Sequence, residues 1–74
     1  MDLVLERDGV LFPIEVKATT HPSNHDARGI QAFRETYSRL KVGPGLVISP
    51  VEKMYPLTEH DVAVPWDLAG SPAA

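Results

Sequence analysis

The chain has no cysteine, so neither a disulfide nor a thiolate-held metal can staple it. That absence is compatible with a reducing cytoplasm, where we expect the protein to reside. No stretch is apolar for the length a membrane-spanning helix needs, which argues against a helical membrane protein. Strand-like residues begin directly after Met1, so no signal peptide is expected to precede the fold. No glycine-rich phosphate loop ending in lysine is present, which excludes ATP hydrolysis by these residues. Positive charge is also scarce. Seven Lys and Arg stand against ten Asp and Glu, for a net charge of −3, unlike the basic footprint of a general nucleic-acid binder. Seventy-four residues make one small domain at most, and such a chain buries only about 60% of its unfolded surface.

The charge that is present is uneven. Residues 17–41 carry Lys17, Arg28, Arg34, Arg39 and Lys41 against Asp26 and Glu35, a local +3 within an otherwise acidic chain. A phosphate-facing helix is one reading of this run, and a solvated helix face is the commoner one.

The most informative stretch is Asp2–Lys17, DLVLERDGVLFPIEVK. Asp8-Gly9 is a strong signal for a type I′ hairpin turn, which needs positive φ at both central residues. With that turn, Arg7 faces Val10, Glu6 faces Leu11, and Asp2 comes to lie opposite Glu15. Directly opposed residues share a face, and so does Lys17, two positions past Glu15. The other face, Leu3, Leu5, Val10, Phe12, Ile14 and Val16, is wholly apolar and reads as core. Pro13 cannot donate to a ladder, so a bulge there is a competing expectation that would shift the register.

Two opposed carboxylates repel unless a cation lies between them. Mg²⁺ and Mn²⁺ are hard ions, commonly held by one or two carboxylates plus water and substrate phosphate. A neighbouring ammonium then offsets charge on a reacting phosphoryl group. The alternative for the same three residues is a salt bridge from Lys17 to Glu15 or Asp2, with no chemistry.

An Asp on one strand followed by Glu-x-Lys on the next resembles the signature of the PD-(D/E)XK nuclease superfamily. The wording DLVLERDGVLFPIEVKA resembles, more narrowly, a C-terminal domain of unknown function in a large prokaryotic family of AAA-type ATPases. The resemblance covers roughly residues 2–66. It implies Asp2 and Glu15 as metal ligands, the Val16 carbonyl as a further donor, and Lys17 as the catalytic lysine. It also implies Mg²⁺ or Mn²⁺ as cofactor, hydrolysis of a phosphodiester in DNA, and the ATPase domain of a parent protein as partner. Nucleases of this kind have a helix and a strand before the Asp strand, so the chain reads as a fragment, inactive on its own. The alternative from another class is a non-catalytic interaction or regulatory module with a relic site.

Further along, Ser23 and Asp26 read as a capping box opening a helix from about Asn24 to about Lys41. Ile30, Phe33, Tyr37 and Leu40 fall on one helical face and are assigned to the core. Gly43-Pro44 ends the helix. Gly45–Ser49 forms a short apolar strand, parallel to the Glu-x-Lys strand through a right-handed crossover. Val62–Trp66 reads as a weak edge strand limited by Pro65, with Trp66 covering the core. His21 and His25 are read as loop residues rather than a metal pair, and His60 as exposed.

The expected fold is α/β, a small mixed β-sheet of three or four strands: β-hairpin, helix, strand and weak edge strand, a partial restriction-endonuclease-like core. Residues 1–66 form the nuclease-like domain and 67–74 a flexible tail. One sheet face is left bare, and the exposed edge of the Asp2 strand invites a homodimer.

Overall fold

In the computed structural model, which describes residues 1–67, the chain folds as a mixed sheet with helical cover on one face. Strand β1 (Leu3–Arg7) and strand β2 (Val10–Val16) form the opening hairpin. Asp8 and Gly9 have φ of 54° and 83°, the left-handed pair that a type I′ turn requires. The register runs Arg7 opposite Val10 to Leu3 opposite Ile14 without interruption, so Pro13 makes no bulge.

The reason lies on the other side of β2. Strand β3 (Lys41–Val42) pairs with Val10 and Leu11, and strand β4 (Gly45–Ser49) pairs with Ile14 to Val16. The neighbour of β2 is therefore broken at Gly43-Pro44, opposite the one β2 residue that has no N–H to offer.

The covering helix is shorter than its apolar spacing suggests. A single 3-10 turn, Asn24–Ala27, leads into α1 (Arg28–Thr36). Ser23 and Asp26 cap it reciprocally, the Ser23 N–H donating to Asp26 Oδ2 at 2.8 Å and the His25 N–H to Ser23 Oγ at 3.3 Å. The helix stops at Thr36 instead of Lys41 because Lys41 and Val42 are claimed by β2, while Thr36, Tyr37 and Ser38 offer little helix propensity to resist. Tyr37 and Leu40 are consequently exposed, not core, with Tyr37 tilted against Phe33 at 4.9 Å between ring centroids.

The sheet has six strands, two or three more than expected, in the order β1-β2-β4-β6-β5, with β3 beside β2. Strand β6 (Asp61–Pro65) is not an edge. It lies between β4, to which it is parallel, and the two-residue β5 (Tyr55–Pro56), which is the edge. Pro65 is tolerated because it is the last residue of its strand, and Pro56 because it sits on the rim. Trp66, beyond the strand end, is 47% exposed and is not part of the buried core. The expected tail lies, from residue 68 on, outside the described residues.

Helix and sheet meet on the face of Pro13, Glu15, Val47, Ser49, Asp61 and Ala63, where Ala27, Ile30 and Val47 form the fully buried core. This is the face that carries Glu15, the reverse of the sequence expectation. Among the described residues the apolar face receives no helix, and Leu3, Leu5 and Val16 on it are each 51% exposed.

Candidate functional site

The Glu-x-Lys segment ends β2, and each residue takes its direction from the ladder. The Lys17 N–H donates to the Ile48 carbonyl at 2.9 Å, so the odd-numbered residues of β2 bond toward β4. The even-numbered ones bond toward β1. Val16 finds no backbone acceptor there, and its N–H donates instead to Asp2 Oδ2 at 2.8 Å. Because the N–H and C=O of one strand residue point to the same edge, the Val16 carbonyl also faces the side on which Asp2 lies. The sheet thus brings Asp2, Glu15, Val16 and Lys17 to one end of the hairpin; the β1–β2 register ends at Leu3 opposite Ile14, and Asp2 lies just beyond it, its N–H donating to the Ile14 carbonyl at 3.1 Å.

Glu15 is the buried member, 8% exposed beneath the start of α1. Gly29 makes that approach possible: a Cβ at this position would lie 3.3 Å from Glu15 Oε1. Both carboxylate oxygens are attended by cations. The Met1 amino group lies 3.2 Å from Oε1, and Lys17 Nζ lies 3.7 Å from Oε2. A buried carboxylate without such partners would be strongly disfavoured. Positive charge therefore collects where a metal would be wanted. The donors are of the hard, oxygen type that suits Mg²⁺ or Mn²⁺, and two carboxylates and a carbonyl match the sparse protein ligation these ions accept. Among the described residues, no cluster of three or more His, Cys, Asp and Glu is arranged to hold a metal.

The other candidates separate. His21 stays in the loop after β2, its Nδ1 2.9 Å from Thr20 Oγ1, and His25 sits in the 3-10 turn. His60 is exposed and lies 3.4 Å from Glu59. An open cleft of about 640 Å³ at the carboxyl ends of β2 and β4 is lined by Thr20, His21, Glu52, Lys53 and Tyr55 among others.

The strongest polar cluster went unread in the sequence. Asp61 is fully buried and receives Arg34 Nη2 at 2.8 Å, Thr58 Oγ1 at 2.8 Å and the Gly45 N–H at 3.0 Å. Burial pushes its carboxyl pKa up, but the Arg34 and Thr58 hydrogen bonds, the Arg34 charge and the Gly45 N–H together hold it below 3.8. Two signals were available. Arg34 is four residues from Ile30, hence on the inward face of the helix, and Thr58-Glu59-His60-Asp61 has the spacing of a local turn in which Thr58 Oγ1 accepts from the Asp61 N–H. Ser49 was also missed: its hydroxyl is fully buried and has no hydrogen-bond partner among the described residues.

No helix among the described residues is long and apolar enough to cross a membrane. No curated protein and no solved structure matches the chain. A family model described as "Domain of unknown function (DUF4143)" matches residues 1–69, and the chain belongs to that family.

Proposed function

We propose that this is a divalent-cation-dependent, nuclease-like domain with a partial restriction-endonuclease-like core, a cytoplasmic piece of a larger AAA-type ATPase that acts on phosphodiesters of DNA. One observation carries the reading: the end of β2 holds Glu15 and Lys17 together, Nζ 3.7 Å from Oε2, and ties the Asp2 carboxylate to the same end through the Val16 N–H. Asp2, Glu15 and the Val16 carbonyl would hold the ion. A bound Mg²⁺ or Mn²⁺ supplies an activated water nucleophile and offsets charge on the phosphoryl oxygens. The chain's own contribution is positional. Asp2 is tied to the Val16 N–H, Glu15 is fixed under Gly29, and the half-exposed Lys17 ammonium can orient a water or face a phosphate oxygen.

The test is a calorimetric titration of Mn²⁺ into the wild type and Glu15→Gln. Binding is expected in the wild type and lost in the variant, which keeps the shape of Glu15 and removes its charge. Equal heats in the two proteins would sink the assignment. A second reading, a non-catalytic interaction or regulatory module, draws on the same ion pairs: both Glu15 oxygens are already neutralised without any metal. It expects no Mn²⁺ binding in either protein.

The outer edge of β1 has no neighbouring strand among the described residues, and Leu3 and Leu5 lie exposed along it. This supports pairing with a second copy through that edge. Light scattering after size exclusion should show a dimer at high concentration, weakened by Leu5→Lys. A clean monomer throughout would refute it.

A further inference from the structure

Ser49 is an anomaly in a domain this small. A buried hydroxyl with no partner forfeits its hydration, and native folds seldom leave one so. Its surroundings explain why nothing nearby satisfies it. On β6 its register partner is Pro65, which has no N–H. On β2 its neighbour follows from the ladder. In a parallel pair the N–H of a residue donates to the residue preceding its partner, and Lys17 donates to Ile48. Lys17 is therefore the register partner of Ser49, one step beyond Val16 and Ile48. Side chains of paired residues leave the sheet on the same face, from strands about 4.8 Å apart. The stem of Lys17 thus rises beside the orphan hydroxyl, while its ammonium lies 3.7 Å from Glu15 Oε2.

Glu15 already carries two cations, the Met1 amino group on Oε1 and Lys17 on Oε2, and a divalent cation would add further positive charge that a half-buried setting screens weakly. The Lys17 ammonium then needs another acceptor on the same face. Among the described residues, Ser49 Oγ is the unpartnered buried side-chain oxygen on offer.

We propose that Ser49 is a second seat for the Lys17 ammonium: when Glu15 accepts a divalent cation, Lys17 Nζ leaves Glu15 Oε2 and donates to Ser49 Oγ. Ser49 acts as a positioning residue through Lys17. It holds the ammonium near the site after its ion pair is lost, in place to meet a phosphate oxygen or a water. This rests on the cation-site reading given above.

The test uses Ser49→Ala, Lys17→Met and the double variant, with Mn²⁺ affinity by calorimetry and stability by urea denaturation of the cation-free protein. Ser49→Ala should weaken Mn²⁺ binding about tenfold, the size of a lost hydrogen bond to a charged group. It should leave the cation-free protein as stable as the wild type or slightly more so, because it removes an unsatisfied group and no bond. In the Lys17→Met background it should change Mn²⁺ affinity less than twofold. Unchanged affinity in Ser49→Ala would overturn the proposal, as would an equal loss with and without Lys17. A parallel loss of stability would assign Ser49 a structural role and overturn it too. If the folded wild type binds no Mn²⁺, the cation-site reading fails and this inference falls with it. If the wild type binds and Glu15→Gln does not, a failure of Ser49→Ala to act removes this inference alone.

Discussion

Replacing Asp61 with alanine is expected to cost the fold about 3–5 kcal/mol, a large share of its stability. The carboxylate is fully buried and satisfies four donors from three elements: two Arg34 nitrogens from α1, Thr58 Oγ1 from the turn before β6, and the Gly45 N–H at the head of β4. Breaking a buried ion pair by removing one partner costs about 3–5 kcal/mol, since the other charge is left uncompensated. A domain of this size has roughly 4–11 kcal/mol to lose. Urea denaturation followed by circular dichroism reads the outcome, and a loss below about 1 kcal/mol would show that water replaces the carboxylate freely. Removing both charges, Arg34→Met with Asp61→Leu, should recover only part of the loss, because Thr58 and the Gly45 N–H stay unsatisfied.

The same group sets an acid limit. Its folded pKa lies below the ordinary 3.8, since the hydrogen bonds and the Arg34 charge outweigh the opposing effect of burial. A carboxyl whose pKa is depressed by folding stabilises the native state fully above its unfolded pKa, and that contribution is lost as pH falls through the folded value. Wild-type stability should therefore decline from about pH 3.8 downward. Asp61→Asn, if enough of it folds to measure, should lack this component.

Gly45→Ala is expected to be nearly as damaging. An added Cβ at Gly45 would collide with Asp61 Oδ1 and come within 2.5 Å of Ile30 Cγ2. Overpacking alone costs about 1–3 kcal/mol. Here the displaced atom anchors Arg34 as well, so a loss of about 3 kcal/mol or more is expected in the same denaturation experiment. Gly29→Ala is the control. Gly29 sits inside the helix, where alanine gains roughly 1 kcal/mol of propensity. Its Cβ would lie 3.3 Å from the end of the Glu15 side chain, which can shift, and at ordinary contact distance from Met1. Stability within about 1 kcal/mol of wild type is expected. If the two variants behave alike, the packing argument for Gly45 fails.

How much could be read in advance depends on how local each feature is. The hairpin was legible because its determinants are adjacent: Asp8-Gly9 forces the turn, and strict alternation then fixes Leu3 opposite Ile14. The end of α1 was not, because Tyr37 and Leu40 continue an apolar helical pattern while Lys41 and Val42, just beyond them, pair with β2. Pro65 was misread for a related reason. A proline restricts the ladder only at its own N–H, so at the end of β6 it leaves the strand free to lie inside the sheet.

By itself the sequence determined which residues share a face: Glu15 and Lys17 on one side, Leu3, Leu5, Phe12, Ile14 and Val16 on the other. That follows from the two-residue period of a strand and needs no tertiary knowledge. Only the tertiary structure decided which face the helix covers. Apolar content pointed to the second face, but a right-handed crossover from β2 to β4 places the helix according to the edge of β2 that β4 occupies, and that is a long-range choice. The same choice buried Glu15 under Gly29 and left Leu3, Leu5 and Val16 exposed. It also set Ser49 beside Lys17 and closed Arg34 onto Asp61 across 27 positions of chain. No pattern within a strand or a helix encodes contacts of that separation; they exist only once the sheet is assembled.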